Sequence, residues 1–183
     1  MSDQQNVSAQ RLRLFFALWP DSPVRAELDA AAEKLHTLRG GRRTRADTIH
    51  LTLVFIGEIA SERLGDVLAA AEGLAVPKFD LLFDHADCWR HNRVAHLGVS
   101  RTPPALSELV RQLEARLDAA AIPFDRRPYV PHITLLRKAD CSAEKTNPAL
   151  APIRWLARDL VLVNSSLRSG EALYKQLGRW PLL

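Results

Sequence analysis

Two four-residue segments of the same form, HLTL and HITL, constrain the fold of this chain more than any other feature. They begin at His50 and His132, far apart in the sequence. In a β-strand, residues two apart project from the same face. Each segment therefore predicts a strand that turns one histidine and one threonine, Thr52 or Thr134, to one side and its apolar residues to a core.

The stretches that lead into the two segments repeat the same order of predicted elements. An apolar strand over 11–18 and an amphipathic helix over 22–38 precede a basic loop and the strand 50–56. A strand over 93–100 and a helix over 104–120 precede a second basic loop and the HITL strand. Because these elements recur at the spacing that separates the two histidines, while their side chains differ, the sequence predicts a duplicated architecture.

The remaining segments carry weaker signals. They predict a helix over 60–73, strands over 78–83, 159–164 and 172–180, and a loop over 138–153. We expect the α+β fold class. The expected architecture is a bilobal duplicated fold, in which two pseudo-symmetric lobes of mostly antiparallel sheet, with helices outside, enclose a central active-site cleft.

Length and composition indicate a globular protein. The chain has 183 residues, of which 47% are hydrophobic and 25% charged, as is usual for soluble domains. Residues 1–10 are polar and lack the apolar core of a signal peptide. We expect a flexible N-terminal tail over 1–10 and a single bilobal domain over 11–183. The net charge of +4 favours an anionic partner.

Two cysteines, Cys88 and Cys141, do not amount to a disulfide framework, so the simplest location is a reducing cytoplasm. The run His85-x-x-Cys88-x-x-His91 invites a zinc site. Its spacing does not place three ligands on one strand face, and no second cluster matches it. Glycine-rich nucleotide-binding motifs are absent. We expect no metal and no cofactor.

A pair of histidines presented in the same way suits phosphodiester chemistry. The attacking and leaving oxygens lie on opposite sides of phosphorus, so one imidazole can accept a proton while the other donates one. An ordinary histidine pKa near 6.5 makes both forms accessible. Hydroxyls of Thr52 and Thr134 can donate to the phosphate oxygens. A lone histidine in a strand is more often structural, and the repetition is what favours catalysis.

Basic residues surround both motifs and fit an RNA end better than a small neutral substrate, while any single arginine over 39–45 is more simply explained as solvated loop charge. Arg45 and Arg127 occupy equivalent positions before the two motifs, and Arg137 follows the second. Arginine binds phosphate bidentately. Strand parity turns Arg137 away from His132, so it reaches the same phosphate only if the strand bulges or ends by residue 136. Phe55 is a candidate for stacking on a base, with a core role as the alternative.

These residues resemble a known family. The opening RLFFAL, HLTLVFIG and PHITLLR, over about residues 11–180, are similar to the two-histidine (2H) phosphoesterases, and within them to RNA 2′,3′-cyclic phosphodiesterases, also called 2′-5′ RNA ligase-like proteins. The resemblance implies His50 and His132 as acid and base, and Thr52, Thr134 and Arg137 as phosphate contacts. It also implies hydrolysis of 2′,3′-cyclic ends to 2′-phosphomonoesters, with weak reversible 2′-5′ ligation.

The expected partners are RNA with a 2′,3′-cyclic phosphate end, tRNA fragments among them, or cyclic nucleotides. We expect no membrane association and a monomer. Two other functions stay open on the sequence. One is a module that binds RNA ends or cyclic nucleotides without turnover. The other is a related two-histidine phosphodiesterase that acts on a different small cyclic or 2′-5′-linked substrate.

Overall fold

The computed structural model describes residues 10–142, 148–168 and 171–183, so nearly all of the predicted N-terminal tail lies outside the described residues. In that part of the chain no helix is long and apolar enough to span a membrane. Three α-helices are present: α1 (Ser22–Arg39), α2 (Leu64–Ala71) and α3 (Pro104–Ala119). Ten strands are present: β1 (Arg11–Leu18), β2 (Arg42–Arg43), β3 (Leu51–Ala60), β4 (Phe79–Phe83), β5 (His85–Trp89), β6 (Val94–Gly98), β7 (His132–Arg137), β8 (Ile153–Ala157), β9 (Asp159–Arg168) and β10 (Glu171–Pro181).

The strands form two four-stranded sheets and one small sheet. The first sheet has the order β10-β9-β1-β3 and carries the HLTL motif, and the second has the order β2-β7-β6-β5 and carries HITL. Strands β4 and β8 pair separately, and all of these pairings are antiparallel. This architecture confirms the predicted α+β bilobal fold. We call the part built on the β10-β9-β1-β3 sheet the first lobe and the part built on the β2-β7-β6-β5 sheet the second lobe.

Helix α1 shows how the sequence sets the element boundaries. The Asp21 carboxylate accepts a hydrogen bond from the Val24 N–H at 3.1 Å, a cap that contributes about 1 kcal/mol. The buried Leu28 and Leu35 lie two turns apart on one face of the helix. Gly40 ends the helix with a φ of 57°, where its N–H donates to His36 O.

The two halves of the chain are interlocked. Helix α1, from the first repeat, packs against β7 of the second lobe, whereas α3, from the second repeat, packs against β3 of the first lobe. Strand β2 leads into the first motif but pairs with β7. The loop that leads into the second motif reaches back to β3, where the Asp125 N–H donates to Phe55 O at 2.8 Å. Each motif strand is therefore supported by both repeats.

Both motif strands contain a bulge at the equivalent place. In β3, Thr52 pairs with Ala17 and Val54 with Phe16, so Leu53 is an extra residue. In β7, Thr134 pairs with His96 and Leu136 with Ala95, so Leu135 is extra. Each bulge reverses the alternation of side chains beyond it. In β7 the parity of the residues beyond Leu135 is shifted by one, and in β3 the shift covers Val54 and Phe55, before a second bulge at Ile56 restores the alternation.

The predicted elements are right in type, and several differ in extent. The helix expected over 60–73 is a 3-10 turn followed by α2, and the last strands run several residues longer than predicted. The loop expected over 138–153 ends where the unpredicted β8 begins, and residues 143–147 lie outside the described residues. Strands β2 and β5 were also unpredicted, because short polar edge strands carry no apolar alternation.

The constant spacing of the two repeats needs a correction in the first strand of each. Helices α1 and α3 begin at Ser22 and Pro104, which are separated in sequence by the same interval as the two motif histidines. In the sheets, however, Ala17 pairs with Thr52, and His96 pairs with Thr134. Ala17 and His96 are therefore equivalent, and they lie closer together in the sequence than the two histidines do. The connection between strand and helix therefore differs in length between the repeats. The sequence did not show this difference, because prolines break both connections at matching positions.

The structure corrects the reading of the cysteines. Cys88 in β5 and Cys141 beyond β7 form a disulfide, with Cα atoms 5.4 Å apart across a sequence separation of 53 residues. The sequence could not show this, because β6 brings the two segments together only through sheet pairing. A disulfide sulfur is not available as a zinc ligand, so the His85-x-x-Cys88-x-x-His91 run does not form the zinc site it suggested.

Candidate active site

The two motif histidines are anchored identically. The Nδ1 of His50 lies 2.7 Å from Thr48 O, and the Nδ1 of His132 lies 2.8 Å from Val130 O. A carbonyl oxygen only accepts hydrogen bonds, so Nδ1 carries the proton in both rings. The opposite nitrogen, Nε2, is then unprotonated in each neutral imidazole. Both histidines therefore offer Nε2 as the atom that takes or gives a proton.

The motif histidines and threonines lie on facing sides of the two lobes. His50 immediately precedes β3, and His132 is the first residue of β7. The charges of His132 and Arg137 both help to lower the pKa of His50, and Arg137 does the same for His132. Effects of this kind weaken with distance, so His132 and Arg137 lie near His50. Strands β3 and β7 are also in contact with each other. The two motifs thus lie near one another, as the sequence predicted.

Aromatic rings surround His50 in the first lobe. The Trp19 ring stacks on it at 5.1 Å between centroids with an interplanar angle of 6°, and the Phe15 ring stacks at 4.9 Å. The Tyr174 ring meets it edge-on at 5.3 Å. Trp19 and Tyr174 pack against a small apolar cluster that includes Phe15 and Val161. Burial among these groups is the main reason that the pKa of His50 falls to about 4.

His132 in the second lobe has a different setting. The Trp89 ring meets His132 edge-on at 4.5 Å and lies 4.1 Å from the ring of His96. His96 is almost fully buried and its ring centroid is 5.6 Å from that of His132. Burial lowers the pKa of His132 as well, and it lowers the pKa of His96 to about 4.

The bulge at Leu135 answers the question of parity for Arg137. Arg137 pairs with Val94, two residues before His96, and His96 pairs with Thr134. Directly paired residues share a face, so Arg137 lies on the face of Thr134. Of the two possibilities that the sequence left, a bulge or a strand end by Leu136, the structure has the bulge.

Phe55 in the first lobe is the counterpart of Arg137. It pairs with Phe15, two residues before Ala17, and Ala17 pairs with Thr52. The bulge at Leu53 thus turns Phe55 to the cleft face, where the Arg13 guanidinium lies 5.1 Å from its ring centroid. Equivalent bulges thus place an aromatic ring, Phe55, on the cleft face of the first lobe and a cation, Arg137, on that of the second.

The other two predicted contacts, Arg45 and Arg127, lie on exposed loops and are ion-paired. Arg45 Nη2 is 2.6 Å from the Asp47 carboxylate, and Arg127 pairs with Asp125. These pairs hold the pKa of both carboxyls below the usual range. Neither arginine contributes to the pKa shifts of the two motif histidines. Both arginines therefore have less electrostatic influence on the two histidines than Arg137 has.

Sequence reasoning missed five residues that contact the motif histidines: Phe15, Trp19, Tyr174, Trp89 and His96. Trp89 was expected only to pack. Trp19 follows β1, and His96 lies two residues from Val94 and from Gly98 on the cleft face of β6. The sequence alone carried no signal for them, because they reach the histidines through strand pairing; Ala17 and His96, for example, oppose the two motif threonines.

Comparisons with known proteins identify a family and several relatives. The family model of the LigT like phosphoesterases matches residues 18–96 and again 97–171. The RNA 2′,3′-cyclic phosphodiesterase of Escherichia coli is 32% identical over 170 residues, covering 93% of this chain and 96% of that protein. The enzyme of the same name from Thermus thermophilus is 30% identical, covering 93% and 90%.

Solved structures show the same likeness in three dimensions. The crystal structure of E. coli LigT complexed with 3′-AMP superposes with a TM-score of 0.85 at 32% identity, covering 94% of this chain and 99% of that one. The apo form of E. coli LigT gives a TM-score of 0.84. The family model matches the chain twice in succession, as expected for a duplicated architecture, with the boundary between the two matches inside β6. The chain belongs to the LigT like phosphoesterase family.

Proposed function

We propose that this protein hydrolyses the 2′,3′-cyclic phosphate at the end of an RNA to a 2′-phosphomonoester. Water attacks phosphorus, the bond between phosphorus and O3′ breaks, and O3′ leaves as a hydroxyl. The proton lost by the water and the proton gained by O3′ pass through the two imidazoles. The observation that carries this proposal is the matched anchoring of His50 and His132, which frees both Nε2 atoms on facing sides of one cleft.

The structure favours His50 as the base and His132 as the acid. His50 is packed among aromatic rings and has a pKa near 4, so it is neutral over most of the pH range. The pKa of His132 is also lowered, by burial and by Arg137. An anionic phosphate in the cleft opposes these effects. The less enclosed His132 then holds the proton that O3′ receives.

Thr52, Thr134 and Arg137 are the proposed phosphate contacts. Two hydroxyls and a guanidinium supply donors from both lobes to the non-bridging oxygens, where negative charge increases during the reaction. Together with the two imidazoles they account for every proton transfer and charge in the step. The proposed reaction therefore needs no metal.

The proposed substrates are RNA ends with a 2′,3′-cyclic phosphate, tRNA fragments among them, and cyclic nucleotides. Phe55 offers a ring for base stacking, and Arg45 and Arg127 remain candidate contacts for a longer RNA. If a 5′-hydroxyl replaces water as the nucleophile, the same site forms a 2′-5′ linkage. We propose a monomer that acts in the cytoplasm, although the disulfide between Cys88 and Cys141 removes the argument that unpaired cysteines gave for a reducing compartment. Thiol alkylation in intact cells would show whether Cys88 and Cys141 are joined there.

The decisive assay is incubation with a 2′,3′-cyclic nucleotide and with a cyclic-phosphate RNA end in the presence of chelator. We expect 2′-phosphate products from both, identified by chromatography against 2′- and 3′-phosphate standards. A strict need for added metal, or release of 3′-phosphate, would contradict the mechanism. Tight binding without turnover would instead support a binding module, and turnover restricted to a 2′-5′ dinucleotide would indicate a different substrate.

A further inference from the structure

Two arginines stand side by side on the cleft face of the second lobe. Strand β2 contributes Arg42, which pairs directly with Arg137 of β7. Arg43 pairs with the fully buried Leu136 on the opposite face and reaches Asp29 of α1 at 2.6 Å. Directly opposed residues share a face. Arg42 therefore lies on the same face as Arg137, which is also the face of Thr134.

The arginine pair lacks acidic partners. Within the described part of the chain, neither Arg42 nor Arg137 makes a side-chain hydrogen bond or an ion pair, and both are exposed. Their neighbours Arg43 and Arg45 are each paired with an aspartate. Like charges directly opposite each other in a sheet are destabilising. A bound anion would remove that cost, so the pair is arranged for a ligand with negative charge.

The backbone holds this arrangement closely. Gly41, just before Arg42, has a φ of +83°, and a Cβ at this position would lie 2.6 Å from Arg137 O. Only glycine allows β2 to approach β7 so closely in this conformation. In the run Gly40-Gly41-Arg42, Gly40 ends helix α1 and Gly41 allows β2 to approach β7. Arg42 places a cation on the cleft face.

The two arginines differ in their distance from the histidines. The charge of Arg137 lowers the pKa of His50 and of His132, whereas Arg42 is not among the causes of either shift. Arg42 therefore lies farther from the imidazoles than Arg137. Opposed Cβ atoms lie about 5 Å apart in such pairs, and the guanidinium groups can diverge beyond that. Two neighbouring phosphates of one strand fit this separation.

We propose that Arg42 binds the internucleotide phosphate immediately 5′ of the terminal cyclic nucleotide, beside the cyclic phosphate held by Arg137. This subsite rests on the proposed function. It gives the protein a reason to prefer an oligonucleotide over a cyclic mononucleotide, since only the former has the second phosphate. The contact is made equally in the ground state and the transition state, so it acts on KM rather than on kcat.

The test compares 2′,3′-cyclic AMP with the dinucleotide that carries one additional 5′ adenosine and phosphodiester. Arg42→Ala is expected to lower kcat/KM for the dinucleotide about tenfold, through KM, the scale of one lost charged contact. It is expected to leave the mononucleotide unchanged. The salt dependence of the dinucleotide reaction should weaken by about 0.7 in its logarithmic slope. Arg42→Lys should restore part of the loss.

Arg154→Ala is the matched control, because it removes the same charge from an exposed position of β8 in the separate small sheet. Equal losses on both substrates would overturn the subsite, since Arg42 would then act on the terminal phosphate. No loss on either substrate would overturn it too. If the wild type turned over neither substrate, the proposed function would fail. Calorimetric binding of the two corresponding 2′-phosphate products would still test Arg42.

Discussion

His50 and His132 occupy equivalent positions of the duplicated backbone, but the side chains around them differ. In the first lobe the rings of Trp19, Phe15 and Tyr174 enclose the imidazole. In the second lobe a tryptophan and a second histidine flank it, and two arginines lie farther along the same face. The duplicated backbone therefore fixes where the reacting groups stand, and the side chains around them decide what each lobe does.

The equivalent bulges show the same division. Phe55 and Arg137 occupy matched positions beyond Leu53 and Leu135. An aromatic ring suits a base, whereas a guanidinium suits a phosphate. Under the proposed function, the first lobe excludes water from a neutral imidazole and contacts apolar parts of the substrate, whereas the second lobe binds negative charge.

The strongest test of the comparison removes each imidazole in turn. His50→Ala and His132→Ala are each expected to lower kcat roughly a hundredfold to ten-thousandfold, the range for loss of a general acid or base. Thermal melting should show that both variants fold, and His91→Ala, at an exposed position, serves as the control. If either motif variant kept near-normal activity, the two lobes would not share one reaction.

Removal of the disulfide is expected to destabilise the second lobe before the first. Cys88 and Cys141 join two segments of the second lobe, and the first lobe contains no other cysteine of this chain. For this loop length the chain-entropy model predicts that the double variant Cys88→Ser, Cys141→Ser loses about 4 kcal/mol of unfolding free energy.

Urea unfolding with and without reductant measures this difference. The double variant itself provides the control, because reductant should not destabilise it further. Hydrogen exchange should show lost protection in β5 before β10. Equal unfolding free energies for the oxidised and reduced wild type would contradict the prediction.

Substitution of Phe55 and Arg137, the matched residues beyond the two bulges, tests the contrast between ring and cation. Arg137→Ala is expected to lower kcat/KM roughly tenfold to a hundredfold and to reduce kcat, because charge on the phosphate increases in the transition state. Phe55→Leu is expected to raise KM by about tenfold or less and to leave kcat unchanged. Steady-state kinetics on a cyclic-phosphate RNA end separates the two. A fall in kcat for Phe55→Leu would place the ring nearer the reaction than we propose.

The smallest expected effect is a shift in one limb of the pH profile. The rate requires neutral His50 and protonated His132, so it should fall below pH 4–5 as His50 is protonated, and fall again as the pH rises through the lowered pKa of His132. The optimum of kcat/KM is therefore expected below pH 6.5.

Trp19→Ala admits water to His50, which raises its pKa and moves the acid limb upward by less than about one unit. Trp89→Ala should move the alkaline limb instead. An acid-limb shift in both variants would show that the rings do not act separately on their own histidines.

Much of the fold follows from local patterns in the sequence. Apolar runs and caps predicted β1, α1 and α3, and the twin motifs predicted two facing strands. Short polar elements such as β2 and β5 depend on sheet pairing, which no local pattern encodes. For the site, the sequence singled out His50, His132 and Arg137, and their roles stay predictions. Parity required a bulge or a strand end before Arg137, and the structure has the bulge at Leu135.

The residues around the histidines could not be predicted for a physical reason. Trp19, Trp89 and His96 reach the imidazoles through strand register, and Arg42 reaches Arg137 because β2 crosses to the other lobe. The disulfide has the same origin. Each of these contacts joins segments that are distant in sequence, and a single chain read locally does not reveal which segments meet.

The interlocked connections described for the fold have a consequence for ancestry. A chain with only one repeat would have neither a helix behind its own motif strand nor the neighbouring segment that borders it, because α1 and α3 each cover the other half. Such a half-length ancestor could complete its sheets only by exchanging helices with a second copy. The cleft of the present monomer would then descend from the interface of an exchanged pair, fused into one polypeptide.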